Sequence, residues 1–333
     1  MVSPLLVARA MQRNLLGVPL VPLVLLVLLP ISNAASANPP PPVVGGTRVA
    51  PGAWPDVVAV LGPHGSCTGT LIAPDVVLTA GHCADIAPTH IIANTVDYAV
   101  PYAGDRIAVK WTRAYPRWAE QYDVAVLMLE HVALPRPRAI ATGCLANRAL
   151  RDARPLTVVG FGLTSPLADD DNTALHEASV PVLDPTCASD LGCAPEVQPY
   201  GEFSAGGRGT DSCFGDSGGP AFISTSVVDG PRAEDPVGPV LVGVVSRGLA
   251  LPGIPCGNGG IYVRADKVTA WIERITKRKL TRVGCGGPAD DPEIAEAEDE
   301  ADGSGGCDAG GARSGTTALL GLALLAAIRR LRT

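Results

Sequence analysis

The chain has 333 residues, 47% of them hydrophobic and 18% charged, with nine cysteines and a formal net charge of −7 at pH 7. No basic patch argues for a nucleic-acid partner, and the cysteines are scattered without the paired CxxC spacing of a zinc knuckle. Much of the acidity sits in one stretch, at Asp290, Asp291, Glu293, Glu296, Glu298, Asp299, Glu300 and Asp302, so the net charge says little about the rest of the surface.

In chain order, residues 1–37 read as a secretory signal peptide. Arg9 and Arg13 form a basic start, an apolar run from 15 to 30 follows, and Ala35-Ser36-Ala37 fits small-residue cleavage, with Ser32-Asn33-Ala34 as a second candidate. Export makes the cysteines readable as disulfides, and nine is odd, so at least one is unpaired or modified. Residues 38–42 are a short Pro-rich propeptide, extended and without a core of its own.

A domain is expected over 43–280, long enough to bury a sizeable core. Short apolar runs recur between turn signals at 57–61, 70–72, 76–79, 107–111, 124–129, 157–160 and 240–245. That spacing predicts an all-β sandwich or barrel. One segment, 265–277, breaks the pattern. There Val268, Trp271, Ile272 and Ile275 recur at i, i+3, i+4 and i+7, which predicts an amphipathic helix. Residues 281–306 are acidic and Gly-rich, cannot bury a core, and are expected to be a solvated linker. The tail, 307–333, holds Cys307, an apolar run from 318 to 328, and Arg329, Arg330 and Arg332.

The chemistry is carried by Asp211-Ser212-Cys213-Phe214-Gly215-Asp216-Ser217-Gly218-Gly219-Pro220. Glycines beside a serine let the backbone turn sharply and leave N–H groups free to point at a ligand. A hydroxyl next to bare N–H groups is what acyl transfer needs. A plain surface turn is the competing reading of these residue types. Three further motifs accompany it: Val43-Val44-Gly45-Gly46, Thr79-Ala80-Gly81-His82-Cys83 and Asp123-Val124-Ala125-Val126-Leu127. Together, in this order over about residues 43–280, they resemble the trypsin/chymotrypsin family of serine proteases.

The resemblance implies an all-β fold of two antiparallel six-stranded β-barrels of the trypsin-like type with a C-terminal α-helix. It implies a nucleophile at Ser217, a general base at His82 and an orienting carboxylate at Asp123, with the N–H groups of Gly215 and Ser217 as the oxyanion hole. Asp211 would floor a pocket for Arg or Lys, Gly248 and Gly260 would leave its walls open, and Ser246 would stand beside Asp123 and the substrate backbone. Val43, freed as a new amino terminus, would pair with Asp216 and order the site. No cofactor is implied. No family calcium loop is recognisable either, so no metal is expected.

Cys67–Cys83 and Cys213–Cys256 match family pairs. Cys187 usually pairs with the position held here by Ser204, so rewiring to Cys193 is expected, with Cys144 and Cys285 left as a possible pair and Cys307 free. Two other departures stand out. Arg247 replaces a usual aromatic, which narrows or recharges the subsite beside the pocket, and the stretch from Gly248 to Cys256 is longer than usual. The tail resembles the C-terminal sorting tails of myxobacterial surface proteins; a simple tail anchor is the alternative. The implied protein is a bacterial, secreted, surface-attached endopeptidase, a monomer acting on protein or peptide substrates. A catalytically silent surface binding protein on the same fold is the runner-up, disfavoured because His82, Asp123 and Ser217 are all present.

Overall fold

The computed structural model describes residues 43–100, 102–164, 172–188, 192–224, 238–249 and 256–285. The expected signal segment, Pro-rich propeptide, acidic stretch and tail lie outside them.

After β1 (Thr47–Arg48), six strands close a barrel: β2 (Val57–Gly62), β3 (Gly65–Ala73), β4 (Val76–Thr79), β5 (His90–Ala93), β6 (Asp105–Ala114) and β7 (Ala125–Leu129), hydrogen-bonded in the order β2-β3-β4-β7-β6-β5. Strands β2, β4 and β7 read as nearly unbroken apolar runs because both faces are covered, whereas β6 leaves much of its length to solvent. Val58, Val60, Val77, Leu127 and Leu129 point into the barrel. Their neighbours Val57, Ala59, Val76, Leu78, Val126 and Met128 join a second cluster with Phe222, Leu241, Val244 and Val263 of the other half of the fold. Successive side chains of a strand face opposite ways, so a strand between two cores alternates between them rather than between core and water.

The second half holds β8 (Ile140–Ala141), the helix α1 (Gly143–Arg151), β9 (Leu156–Gly160), β10 (His176–Val180), β11 (Val182–Asp184), β12 (Glu202–Ala205), β13 (Pro220–Ile223), β14 (Val240–Gly248) and β15 (Gly260–Arg264). Among the described residues the second half is an open half-barrel rather than a second closed six-stranded barrel. The strands make a ten-stranded sheet along β1-β10-β9-β13-β14-β15-β12-β11, with β8 joined to β14 and the short last strand, β16 (Arg282–Val283), joined to β8. One residue, Pro181, separates β10 from β11. Proline cannot donate to a ladder, so the strand breaks there. β10 pairs with β9 while β11 pairs with β12, and the sheet curls round through the covalent chain instead of through pairing alone.

The predicted C-terminal helix begins as a 3-10 turn, Ala265–Val268, and becomes α-helical only over α2 (Thr269–Thr276). The domain also runs past the expected boundary at 280. β16 (Arg282–Val283) pairs with β8, and Cys285 bonds Cys144 in α1, Cα atoms 6.0 Å apart. Helix α1 was not anticipated. It buries Leu145, Ala146, Ala149 and Leu150 on one side and carries Arg148 and Arg151 in its last turn, where they complement the helix dipole.

Candidate active site

His82 opens a 3-10 turn, His82–Ile86, just after β4. The turn is pinned by the Cys67–Cys83 disulfide. Glycine at 81 is dictated by crowding: a Cβ there would lie 2.7 Å from the Trp118 Cβ and 2.9 Å from Asp123 Oδ1. Asp123, two residues before β7, therefore reaches the histidine twice. The His82 N–H donates to Oδ1 at 2.9 Å and His82 Nδ1 meets Oδ2 at 2.9 Å. The Ser246 hydroxyl donates to Oδ2 at 2.7 Å. Burial pushes the Asp123 carboxyl up, but the hydrogen bonds from His82 and Ser246 outweigh it and hold the group below the usual carboxylate value.

Ser217 sits on the seam between the two halves. Its carbonyl accepts from the Thr68 N–H of β3 at 2.9 Å, and the next N–H, of Gly218, donates to Val245 of β14 at 2.8 Å. Gly218 has φ +80, and a Cβ there would fall 2.0 Å from Thr79 Oγ1. Only glycine lets the loop press this close to the barrel. The Gly215 carbonyl is turned to Thr68 Oγ1, which donates to it at 2.8 Å. Among the described residues neither the Gly215 N–H nor the Ser217 N–H has a backbone acceptor.

His82, Asp123, Ser217, Ser246 and Gly248 line one cleft of about 460 Å³, together with Trp118, Arg247 and residues 212–214. Asp211 and Gly260 do not line it. Asp211 lies fully buried beneath Ser212. Its carboxylate accepts the N–H groups of Ser212 at 2.8 Å and of Gly257 and Gly259 at 2.9 Å each. Burial pushes this carboxyl above its usual value while those N–H groups pull it down. Gly260 packs on the same spot; a Cβ would sit 3.0 Å from Ser212 Oγ and 3.5 Å from Asp211 Oδ1.

Asp216 is also fully buried, accepting from Cys213 N–H and Gly162 N–H at 2.8 Å each. Burial, opposed by these two hydrogen bonds, pushes it up to about 7. Val43 is buried too, in the apolar cluster of the second half, and Val44 packs with Cys213, Cys256 and Leu163. The Val44 carbonyl accepts the Asp211 N–H at 2.9 Å.

Besides Cys67–Cys83 and Cys144–Cys285, disulfides join Cys187 to Cys193 and Cys213 to Cys256. Ser204 is buried, and its hydroxyl accepts the Asp184 N–H. Cys307 lies outside the described residues. Sequence reasoning missed Trp118, whose ring centroid is 6.2 Å from that of His82, and Glu202, a buried carboxylate paired with Arg247. No local spacing signals either one. The cleft presents a hydroxyl and an imidazole backed by a carboxylate, with Gly215 lining the neighbouring pocket across Phe214, which is equipment for nucleophilic acyl transfer.

Residues 43–272 match the family model described as Trypsin. The chain belongs to the trypsin family. Among its curated trypsin-family relatives, serine protease 56 of Mus musculus is 32% identical over 248 residues, covering 69% of this chain and 38% of that protein. Coagulation factor XII of Sus scrofa is 30% identical over 256 residues, covering 70% and 39%. Transmembrane protease serine 5 of Homo sapiens is 30% identical over 257 residues, covering 72% and 52%. The first of these relatives are thus matched over about two fifths of their own length.

Proposed function

We propose that this trypsin-family chain is an exported serine endopeptidase that hydrolyses peptide bonds after Arg or Lys. The observation that carries this reading is the meeting on one cleft of Ser217 with the His82–Asp123 pair, beside two N–H groups without backbone acceptors. Ser217 Oγ attacks the scissile carbonyl and His82 takes its proton. The developing oxyanion is held by the N–H groups of Gly215 and Ser217, and His82 returns the proton to the leaving amine. Water then repeats the sequence on the acyl-enzyme. Asp123 fixes the imidazole tautomer and balances the imidazolium. Asp211 supplies buried negative charge beneath the cleft, and a guanidinium or ammonium from the substrate would offset the cost of its burial.

Activation follows from the same charge logic. Among the described residues no cation pairs with Asp216, and the ammonium of a freed Val43 is the partner it needs. Pro42 precedes Val43, so an Arg/Lys-directed enzyme does not make that cut on itself and another protease trims the leader. Active enzyme then begins at Val43; fully active enzyme beginning at Asn38 refutes this step. The tail holds the enzyme at the bacterial surface, and deletion of residues 303–333 releases active protein into the medium. If that deletion leaves location unchanged, the tail has another task.

The test of the whole reading is a fluorophosphonate probe combined with a peptide-library digest. Ser217 becomes labelled, the Ser217→Ala protein does not, and cuts fall after Arg and Lys. An unlabelled, well-folded and correctly trimmed protein instead supports the silent binding protein.

A further inference from the structure

Arg247 stands on the wall of the cleft with its side chain about one third exposed, against a Glu202 side chain that is wholly buried. A guanidinium has five N–H bonds in one plane, and here every one has an acceptor. Nε donates to the Gly192 carbonyl at 3.0 Å. One terminal nitrogen donates to the Gly192 carbonyl at 2.7 Å and Glu202 Oε2 at 2.9 Å. The other donates to Glu202 Oε1 at 2.8 Å and Ser246 Oγ at 2.9 Å. Glu202 is itself fixed by the Ala194 N–H at 2.7 Å. Gly192 lies inside the small ring closed by Cys187–Cys193, and Ala194 follows it directly.

Two consequences follow. First, Arg247 has no N–H left over for a substrate carboxylate, so it is not a reader of acidic residues despite its place on the cleft. Second, its one remaining reach is inward. Ser246 Oγ accepts from Arg247 and donates to Asp123 Oδ2, the oxygen that also meets His82 Nδ1. A continuous chain of charge-assisted hydrogen bonds thus runs from the Cys187–Cys193 ring to the imidazole.

We propose that Arg247 and Glu202 are positioning residues: buried Glu202 locks the Arg247 fork, and the fork fixes the Ser246 hydroxyl on Asp123, holding the His82–Asp123 pair in register with Ser217. This rests on the endopeptidase reading. An arginine suits the task because its rigid fork meets a carboxylate in two places and a third acceptor at the same time; a lysine ammonium cannot hold that geometry. Small displacements of a catalytic pair are amplified in rate, by about 10²-fold for a shift near 1 Å.

The experiment uses purified, leader-trimmed protein and a substrate consisting of a single Arg residue with a chromogenic amide. Labelling by a fluorophosphonate comes first: an unlabelled wild type means the endopeptidase reading has failed, not the positioning. With labelled wild type, Arg247→Met and Glu202→Gln each lower kcat by roughly 10- to 100-fold with KM changed little. The double variant loses no more than the worse single, because the two act as a unit. Arg247→Lys does not rescue. If Glu202→Gln fails to fold by thermal melting, the pair Arg247→Met and Ser246→Ala takes its place, with the same non-additivity expected. Unchanged kcat in folded Arg247→Met, additive losses, or rescue by lysine overturns the proposal. So does a wild-type preference for an acidic residue near the cleaved bond that vanishes in Arg247→Met, since that outcome requires a free N–H.

Discussion

The two halves of the fold are built on different terms. The barrel closes by strand pairing alone and fills its inside with aliphatic side chains. It contributes His82 and Asp123, whose mutual hydrogen bonds already hold the carboxyl in its charged form. The second half curls through a proline break and carries three of the four disulfides. It also buries the carboxylates of Asp211, Asp216 and Glu202 completely. Glu202 has its cation inside the protein, whereas burial holds Asp211 and Asp216 above their ordinary values. The barrel is thus a finished platform, whereas under the proposed function the second half takes two positive charges from outside, one from substrate and one from a new amino terminus.

The sharpest way to break that contrast is at the seam. Ser217→Ala lowers kcat by on the order of 10⁴–10⁶, since nucleophile and base act as a unit, while the melting temperature barely moves. Wild-type-like turnover in the purified variant sinks the assignment. Next comes the charge awaiting substrate. Asp211→Ser lowers kcat/KM for Arg and Lys substrates by roughly 10²–10³-fold, the scale of stripping one partner from a buried charge pair. An unmodified protein that prefers Phe or Leu in a library shows the pocket to be misread.

The charge awaiting an amino terminus gives a pH test. Because the folded carboxyl of Asp216 is raised to about 7 from an ordinary 3.8, the folded unprocessed chain binds its proton more tightly than the unfolded chain does. Its contribution is fully present below about pH 4 and is lost as pH rises through 7. Unprocessed protein therefore melts at a lower temperature at pH 8 than at pH 5, and Asp216→Asn flattens that part of the curve. In the trimmed enzyme Asp216→Asn lowers activity by roughly 10²- to 10⁴-fold, the size of a broken buried pair. Equal pH curves for unprocessed wild type and Asp216→Asn remove the contrast between the halves.

The staples are separated by stability rather than by rate. The chain-entropy model gives about 5 kcal/mol for the 141-residue separation of Cys144 and Cys285 and about 2 kcal/mol for the six-residue separation of Cys187 and Cys193. Cysteine-to-serine pairs compared by denaturant melts check the order.

What the sequence disclosed follows the same division. Residues 76–79 and 157–160 read as strands because their apolar runs are local, and β4 and β9 lie there. The candidate site was legible where chemistry needs neighbours in the chain, as in Gly215-Asp216-Ser217-Gly218 and Ala80-Gly81-His82. The curl of the second sheet was not, because it turns on Pro181, a residue equally at home in any loop. Helix α1 escaped because it is only nine residues long, and its apolar stripe of Leu145, Ala146, Ala149 and Leu150 is too short to separate a helix from a turn by periodicity. The Arg247–Glu202 pair joins residues 45 apart in sequence, and nothing in the local pattern of either marks a partner. Trp118 is placed by the crowding around Gly81, which only the folded chain reveals.

One hydrogen bond ties these observations to pharmacology. The Asp211 N–H donates to the Val44 carbonyl, so the proposed seat for a basic ligand and the residue after the proposed new amino terminus share a backbone contact. Sites coupled in this way obey reciprocity: whatever ordering one confers on the other is returned in equal measure. If Asp211 seats basic groups and trimming orders the site as proposed, a small cationic ligand binds the trimmed form more tightly than the untrimmed one. By the same ratio, under that proposal ligand-loaded protein holds its Val43 terminus more firmly, so such a ligand favours the matured arrangement as well as blocking turnover.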